Sequence, residues 1–356
     1  MKKLEYTVQF VTPAFLGNAE QNAQWRTPPF KALLRQWWRV AAAQQFQYDF
    51  KKIREAEGRI FGHAWLENDT VERNGRLVPT AARKSEIRLR LSHWDAGKLK
   101  NWQGLEQGAV HHPEVQKTQY KVGPHAYLGF GPLDGRSGTK FKEKINAAIQ
   151  SGESATLSLA VPDDIAPLVE QSLWLMDRFG TIGGRSRNGW GSFSLTPLCD
   201  TPPLDGKLPV RDWKECLTLD WPHAFGSDNN KMLVWQTKPF GDWKLLMKEL
   251  AEIKIKLRTK FPFATGKDAA HPEQRHWLSY PVTNHSVGPW GGNARLPNSL
   301  RFKVQKNADG KLQGVIFHVP CLPPPGFRPE KQAIEQVWTQ VHSFLSQQTN
   351  LTRMEG

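Results

Sequence analysis

Cysteine is scarce in this chain. Cys199, Cys216 and Cys321 are the three in 356 residues, far apart and outside any CxxC or Cys/His spacing. That excludes a disulfide scaffold and a zinc finger, and it fits a reducing cytoplasm. All three read as small buried residues. Long apolar runs are missing as well, so no membrane-spanning helix is expected. Met1-Lys2-Lys3-Leu4-Glu5-Tyr6 lacks the apolar stretch of a signal peptide. Acid is in deficit, with 34 Asp and Glu against 48 Lys and Arg, a net charge of +14. A deficit of that size favours a polyanionic partner, and the absence of membrane signals makes nucleic acid the better reading. No cofactor or metal motif is present. His111, His112 and His125 share residues 104–140 with Glu106, Glu114 and Asp134, but without ligand spacing, so a solvated loop is expected there.

Enough apolar material remains for a substantial core, with 15 Trp and 18 Phe. Tyr6 to Val11 alternates and reads as a strand. Thr27 before Pro28-Pro29 marks a helix start. Phe30, Leu33, Leu34, Trp37, Trp38 and Ala41 then recur on one helical face. Beside that face Lys31, Arg35 and Arg39 form a cationic ridge, with no acid anywhere from Thr27 to Gln47. Gly58 to Ala64 reads as a short apolar piece. Ile87 to Leu91 and Ala155 to Val161 read as strands, the former with Arg88 and Arg90 on one side. Pro162-Asp163-Asp164 reads as the cap of a second helix bearing Ile165, Leu168, Val169, Ser172, Leu173 and Met176.

That helix leads into Gly180-Thr181-Ile182-Gly183-Gly184-Arg185-Ser186-Arg187-Asn188-Gly189-Trp190-Gly191-Ser192, with five glycines in thirteen residues, and then a short strand. A glycine-rich loop at a helix-to-strand handover can offer backbone amides and cations to phosphate. The element order up to residue 200 is β-α-β-β-α-β, the ferredoxin-like arrangement of an antiparallel sheet backed by two helices. RNA-recognition modules share this layout and present the open sheet face to single-stranded RNA. Thr201 to Gly206 reads as a linker. Met232 to Trp235 then reads as a strand, Trp243 to Leu257 as a helix, and Leu300–Val304 and Gly314–Val319 as a hairpin around Asp309-Gly310. A last helix starts near Pro329, and no fourth strand is evident after it. The expected fold is therefore α+β, two ferredoxin-like, RRM-like domains in tandem at 1–200 and 207–356, with long loop insertions. Residues 265–297 mix Arg275, Trp277, Trp290 and Arg295 with glycines, a composition suited to single-stranded nucleic acid.

Three segments together resemble the RAMP superfamily of CRISPR effector proteins, and within it the Cmr subunits of type III-B complexes. They are Thr12-Pro13-Ala14-Phe15-Leu16-Gly17 with Pro28-Pro29-Phe30-Lys31-Ala32-Leu33-Leu34-Arg35-Gln36-Trp37-Trp38-Arg39; Arg59-Ile60-Phe61-Gly62; and Gly183 to Ser192. Ala32 departs from the family, which often has glycine there. A looser match covers Gly292 to Phe302. The resemblance implies a non-catalytic subunit of an RNA-guided complex, near the guide's 3′ end. Its partners would be guide RNA, target RNA and other subunits. By the same resemblance, Lys31, Arg35, Arg39, Arg185, Arg187, Asn188 and Arg295 would contact RNA, with Gly183, Gly184 and Gly189 lending amides.

Two other functions compete. Some RAMP relatives cut RNA without metal through a histidine, and His63, His111, His112 and His125 are available, though without a recognisable partner. A basic scaffold touching only protein is the other. The RNA-binding reading is preferred because phosphate contacts give affinity without reading sequence.

Overall fold

The computed structural model describes residues 1–64, 69–106, 108–115, 122–135, 138–145 and 147–355. Alternation at the N-terminus becomes the strand Lys2–Phe10, with Leu4, Tyr6, Val8 and Phe10 buried. It lies inside a four-stranded antiparallel sheet ordered Arg88–Leu91, Ser154–Val161, Lys2–Phe10, Phe193–Pro197. The helices Thr27–Ala42 and Ala166–Phe179 pack together over its apolar face.

The second half holds a sheet ordered Leu300–Lys306, Leu312–His318, Val234–Thr237, Leu351–Arg353, again wholly antiparallel. Its helices are Trp243–Thr259 and Lys331–Ser346. Counted along the chain, both sheets run second, third, first, fourth. The fourth strand, Leu351–Arg353, was not evident in the sequence. Three residues are too few to display a period of two.

The two halves share a core. Val315, Phe317 and Val319 point toward the first half, while Ile316 and Trp235 join the second core. Trp37 stacks on Phe225 at 5.9 Å, and Phe179 lies 4.6 Å from Phe225 and 5.1 Å from Phe317, between ring centroids. Burying each such ring is worth about 1.5–3 kcal/mol. The second sheet is thus covered on both faces. The first keeps an open face of Lys3, Glu5, Thr7, Gln9, Thr156, Ser158, Arg88 and Arg90, with no aromatic at these positions. RNA-recognition modules stack bases on aromatic rings of that face, so this sheet lacks their equipment.

Several expectations are corrected. Gly58 to Phe61 is the end of a helix, Phe50–Phe61, capped by the Asp49 carboxylate, which accepts from the amides of Lys51 and Lys52. The Met232–Trp235 run is divided: Lys231–Met232 pairs with Phe225–Asp228 in a three-stranded sheet, and Val234–Thr237 joins the larger one. Asp163 does not cap the helix Ala166–Phe179 through its side chain; it binds the N-terminal ammonium at 2.6 Å. Cys216 is buried, but Cys321 is half-buried and Cys199 exposed. His125, expected in a solvated loop, is fully buried, its Nε2 donating to Lys244 O at 3.1 Å beside Trp102, Trp190 and Trp243. Among the described residues, no helix is long and apolar enough to cross a membrane.

Candidate nucleic-acid interface

The glycine loop is the point where four segments meet. Phe15 O accepts from Gly184 N at 2.9 Å and Pro13 O from Gly191 N at 2.8 Å. Thr12 Oγ1 donates to Gly189 O at 2.7 Å and accepts from Ser192 N at 3.0 Å. From the second half, Phe302 N donates to Arg187 O at 3.0 Å and Val304 N to Ser192 Oγ at 2.9 Å. The buried Lys303 Nζ reaches Gly180 O and Phe193 O, each at 2.6 Å. The short helix Pro124–Gly129 supplies the fourth side, where Asn188 Nδ2 donates to Leu128 O at 2.6 Å.

Glycine is required at two places in this weave. At Gly191, φ is +66° and a Cβ would stand 1.9 Å from Ile182 O; at Gly183, φ is +94° and a Cβ would stand 2.7 Å from Phe15 O. The amides of Gly184 and Gly189 donate to Phe15 O and Ser186 O, so those two donors are spent inside the protein. Asn188 is likewise engaged at both ends, its Oδ1 accepting from Lys254 Nζ at 2.5 Å. Trp190 is buried. What the loop turns outward is Arg185 and Arg187.

Those two guanidinium groups meet cations from the other half. Arg187 lines a cavity with Lys254, Arg258, Phe302 and Trp338, and Arg185 lies within electrostatic reach of Lys254. Arg258 donates to Ser279 Oγ at 3.1 Å. Arg275 pairs with Glu114 at 2.5 Å. Among the described residues, no carboxylate forms an ion pair with Arg185, Arg187, Lys254, Arg258 or Arg301. Crowded cations, each partly screened from water by its neighbours, lose affinity for their protons. Burial first, and then Arg258 and Arg185, push Lys254 well below the usual lysine range. Burial and Arg187 bring Arg301 down to about 10. Arg185 and Arg187 are lowered by desolvation. An anion seated among Arg187, Lys254 and Arg258 would relieve that crowding.

The ridge on Thr27–Ala42 has another fate. Arg35 Nε donates to Glu57 Oε1 at 2.6 Å, and Arg39 Nε to Glu57 Oε2 at 2.5 Å. Glu57 comes from Phe50–Phe61 and is 2% exposed. Lys31 is half-buried, its pKa lowered by burial and then by Arg35. No ion pair, hydrogen bond or ring contact joins the ridge to the glycine loop among the described residues. Arg295 is also apart, folded back onto Gly292 O and Ala294 O at 3.0 and 2.7 Å. The sequence reading missed Lys254, Arg258 and Arg301 as site residues. Lys254 and Arg258 do carry a signal, one turn apart beside the buried Leu250 and Leu257, where Glu249 and Glu252 do not reach.

The histidines are placed differently from one another. His63 is buried with Asp69 at 2.7 Å, and His125 lies in the core. His111 is exposed, and half-buried His112 sits 5.5 Å from the Tyr127 ring. Among the described residues, no three metal-ligating side chains gather.

A family model for the RAMP superfamily matches residues 7–194, a span that runs from the first strand through the glycine loop. The chain belongs to the RAMP superfamily. The RAMP match takes in the helices Thr27–Ala42 and Ala166–Phe179 and, at the loop, the Thr12–Phe15 segment hydrogen-bonded to it. A curated relative, CRISPR system Cmr subunit Cmr1-1 of Pyrococcus furiosus, is 26% identical over 195 residues, 54% of this chain and 47% of that protein. The matched stretch thus spans about half the length of that relative. The crystal structure of Cmr1 from Pyrococcus furiosus in its apo form superposes with a TM-score of 0.50 and 16% identity, over 100% of this chain and 99% of that one. The shared fold is mixed α and β. A chain of the type III-B Cmr-β complex bound to cognate target RNA superposes at a TM-score of 0.47 and 10% identity, over 95% and 99% of the two chains.

Proposed function

We propose that this RAMP protein is an RNA-binding, non-catalytic subunit of a cytoplasmic type III-B CRISPR effector complex, built of two ferredoxin-like units at 1–200 and 207–356. It engages guide or target RNA, with the guide's 3′ end as the expected place, and other subunits are its protein partners. The observation that carries the reading is the acid-poor cluster of Arg185, Arg187, Lys254, Arg258 and Arg301 at the junction of the two halves. A structural ion-pair network would supply carboxylates; this cluster leaves its charge for a ligand. A polyphosphate backbone matches it in sign and makes binding independent of sequence, as a complex using variable guides needs.

The test is binding of the full chain to a labelled single-stranded RNA across a salt series. Affinity should fall with salt, and Arg187→Ala/Lys254→Ala/Arg258→Ala should weaken it and flatten the slope of log K against log salt by about 2. Equal binding by the variant and the wild type would end the reading. The RNA should remain intact during the assay.

A further inference from the structure

We propose that Phe130 is the stacking platform for a nucleobase of the RNA held at the junction, an inference that rests on the RNA-binding reading above. Phe130 is an aromatic ring left 56% exposed, directly after the short helix Pro124–Gly129. A single exposed ring is ordinary on a protein surface; what sets this one apart is its place on a turn that packs on the glycine loop.

The turn that carries the ring stands beside the glycine loop. Arg185 Nη2 lies 3.2 Å from where a side chain on Gly131 would begin, and Pro132 Cγ lies 3.2 Å from the same point on Gly184. The turn Phe130-Gly131-Pro132 is therefore seated on Gly184 and Arg185. Its backbone is held by Gly131 N donating to Leu133 O at 3.2 Å and by Lys142 N donating to Pro132 O at 3.0 Å, with Leu133 buried. The preceding helix is fixed too, through Leu128 O on Asn188 and His125 on Lys244 O. The ring is thus presented from anchored backbone, and little order has to be imposed on it when a base arrives.

A cation for the phosphate and a π-face for the base, carried on adjoining turns, is the combination that sequence-tolerant single-strand sites use. Every base has a π-face, so the platform adds affinity without selecting sequence. A duplex keeps its bases stacked on each other and gains nothing from it. Phe130 would therefore confer a preference for single strands that the cations alone do not supply.

The experiment uses the full chain, a fluorescein-labelled single-stranded RNA of mixed sequence, and a set of the same RNA with 2-aminopurine placed at successive positions. Phe130→Ala should weaken binding on the order of tenfold without changing the salt slope, and Phe130→Leu should weaken it likewise. Phe130→Trp should bind as the wild type does. One 2-aminopurine position should be quenched by the wild type and released in Phe130→Ala. Wild-type affinity in Phe130→Ala or Phe130→Leu, while Arg187→Ala/Lys254→Ala/Arg258→Ala loses RNA, would overturn the platform and leave the RNA reading standing. So would unchanged RNA affinity in Phe130→Ala combined with failure to join co-expressed partner subunits, because the ring would then anchor protein. A wild-type chain that binds no RNA would bring down the RNA reading itself, and this inference with it.

Discussion

On the helix Thr27–Ala42, Arg35 and Arg39 reach across to one buried carboxylate, Glu57. On the glycine loop, Arg185 and Arg187 meet Lys254, Arg258 and Arg301 instead. Both regions read in sequence as cations on a well-formed element. The ridge turns out to be half of an internal ion-pair cluster, while the loop belongs to a concentration of positive charge that the protein leaves open. What separates them is the far end of the chain. The ridge finds its acid about twenty residues on; the loop meets cations from the helix Trp243–Thr259 and the strand Leu300–Lys306, with no carboxylate in ion-pair reach among the described residues. A cationic pattern on one element reports its own charge and says nothing of what packs against it.

The strongest way to break the contrast is to break the loop. In Gly191→Ala the new Cβ would have to stand 1.9 Å from Ile182 O, in backbone at φ +66°. A loss of about 4 kcal/mol is expected, since steric and backbone strain add. Chemical denaturation checks this, and a variant as stable as the wild type would show that the loop can be rebuilt around a side chain. Next in size is the cluster itself. Arg187→Ala/Lys254→Ala/Arg258→Ala should cost on the order of a hundredfold in RNA affinity at moderate salt. Its stability should hold or rise, because mutually repelling cations are removed. Fluorescence anisotropy and thermal melts on the same samples separate the two effects.

How far the sequence was legible follows from the same contrast. The strand Lys2–Phe10 and the face Phe30, Leu33, Leu34, Trp37, Trp38 were readable because burial imposes a period on a single element. The helix Phe50–Phe61 was not, because it gives a core position to Glu57 and offers Ile53 and Phe61 as its buried large apolar residues. That omission is also why the ridge seemed free. The junction cluster was invisible for a related reason. It draws on the loop near 185, the helix near 254 and the strand near 301, which only tertiary packing brings together. Pro124–Gly129 and the turn on to Leu133, from a stretch with no period to read, provide the wall that carries Asn188's partner and Phe130.

The ridge makes the opposite prediction from the cluster. Arg35→Ala/Arg39→Ala leaves Glu57 buried without a counter-charge and should destabilise the fold by about 2 kcal/mol. That is less than a wholly buried pair would cost, because both arginines are partly exposed. Adding Glu57→Gln should recover part of it. RNA affinity measured well below the melting transition should change less than about threefold. A large affinity loss with unchanged stability would invert the comparison and return the ridge to the binding surface.

Lys303 gives the most specific test, because it ties the second sheet to both ends of the glycine loop. Its ammonium is wholly buried and lies 4.6 Å from the Phe193 ring centroid, with Asp177 the one carboxylate acting on it from a distance; burial brings its pKa down to about 7. A neutral amine has two N–H bonds, and two carbonyls, Gly180 O and Phe193 O, are there to receive them. The unfolded chain keeps an ordinary lysine near 10.4, so between about 7 and 10 it holds more protons than the folded one. Stability must then rise with pH across that window, by up to about 1.4 kcal/mol per unit from this group, and the gain is lost as pH falls toward 7. Lys303→Met removes the titration and strands two buried carbonyls. Measured by urea unfolding, the variant should nearly match the wild type at pH 7 and fall progressively behind it toward pH 9. Parallel curves for the two proteins would mean that Lys303 stays charged in its buried site, and that the loop is held by an ammonium rather than by an amine.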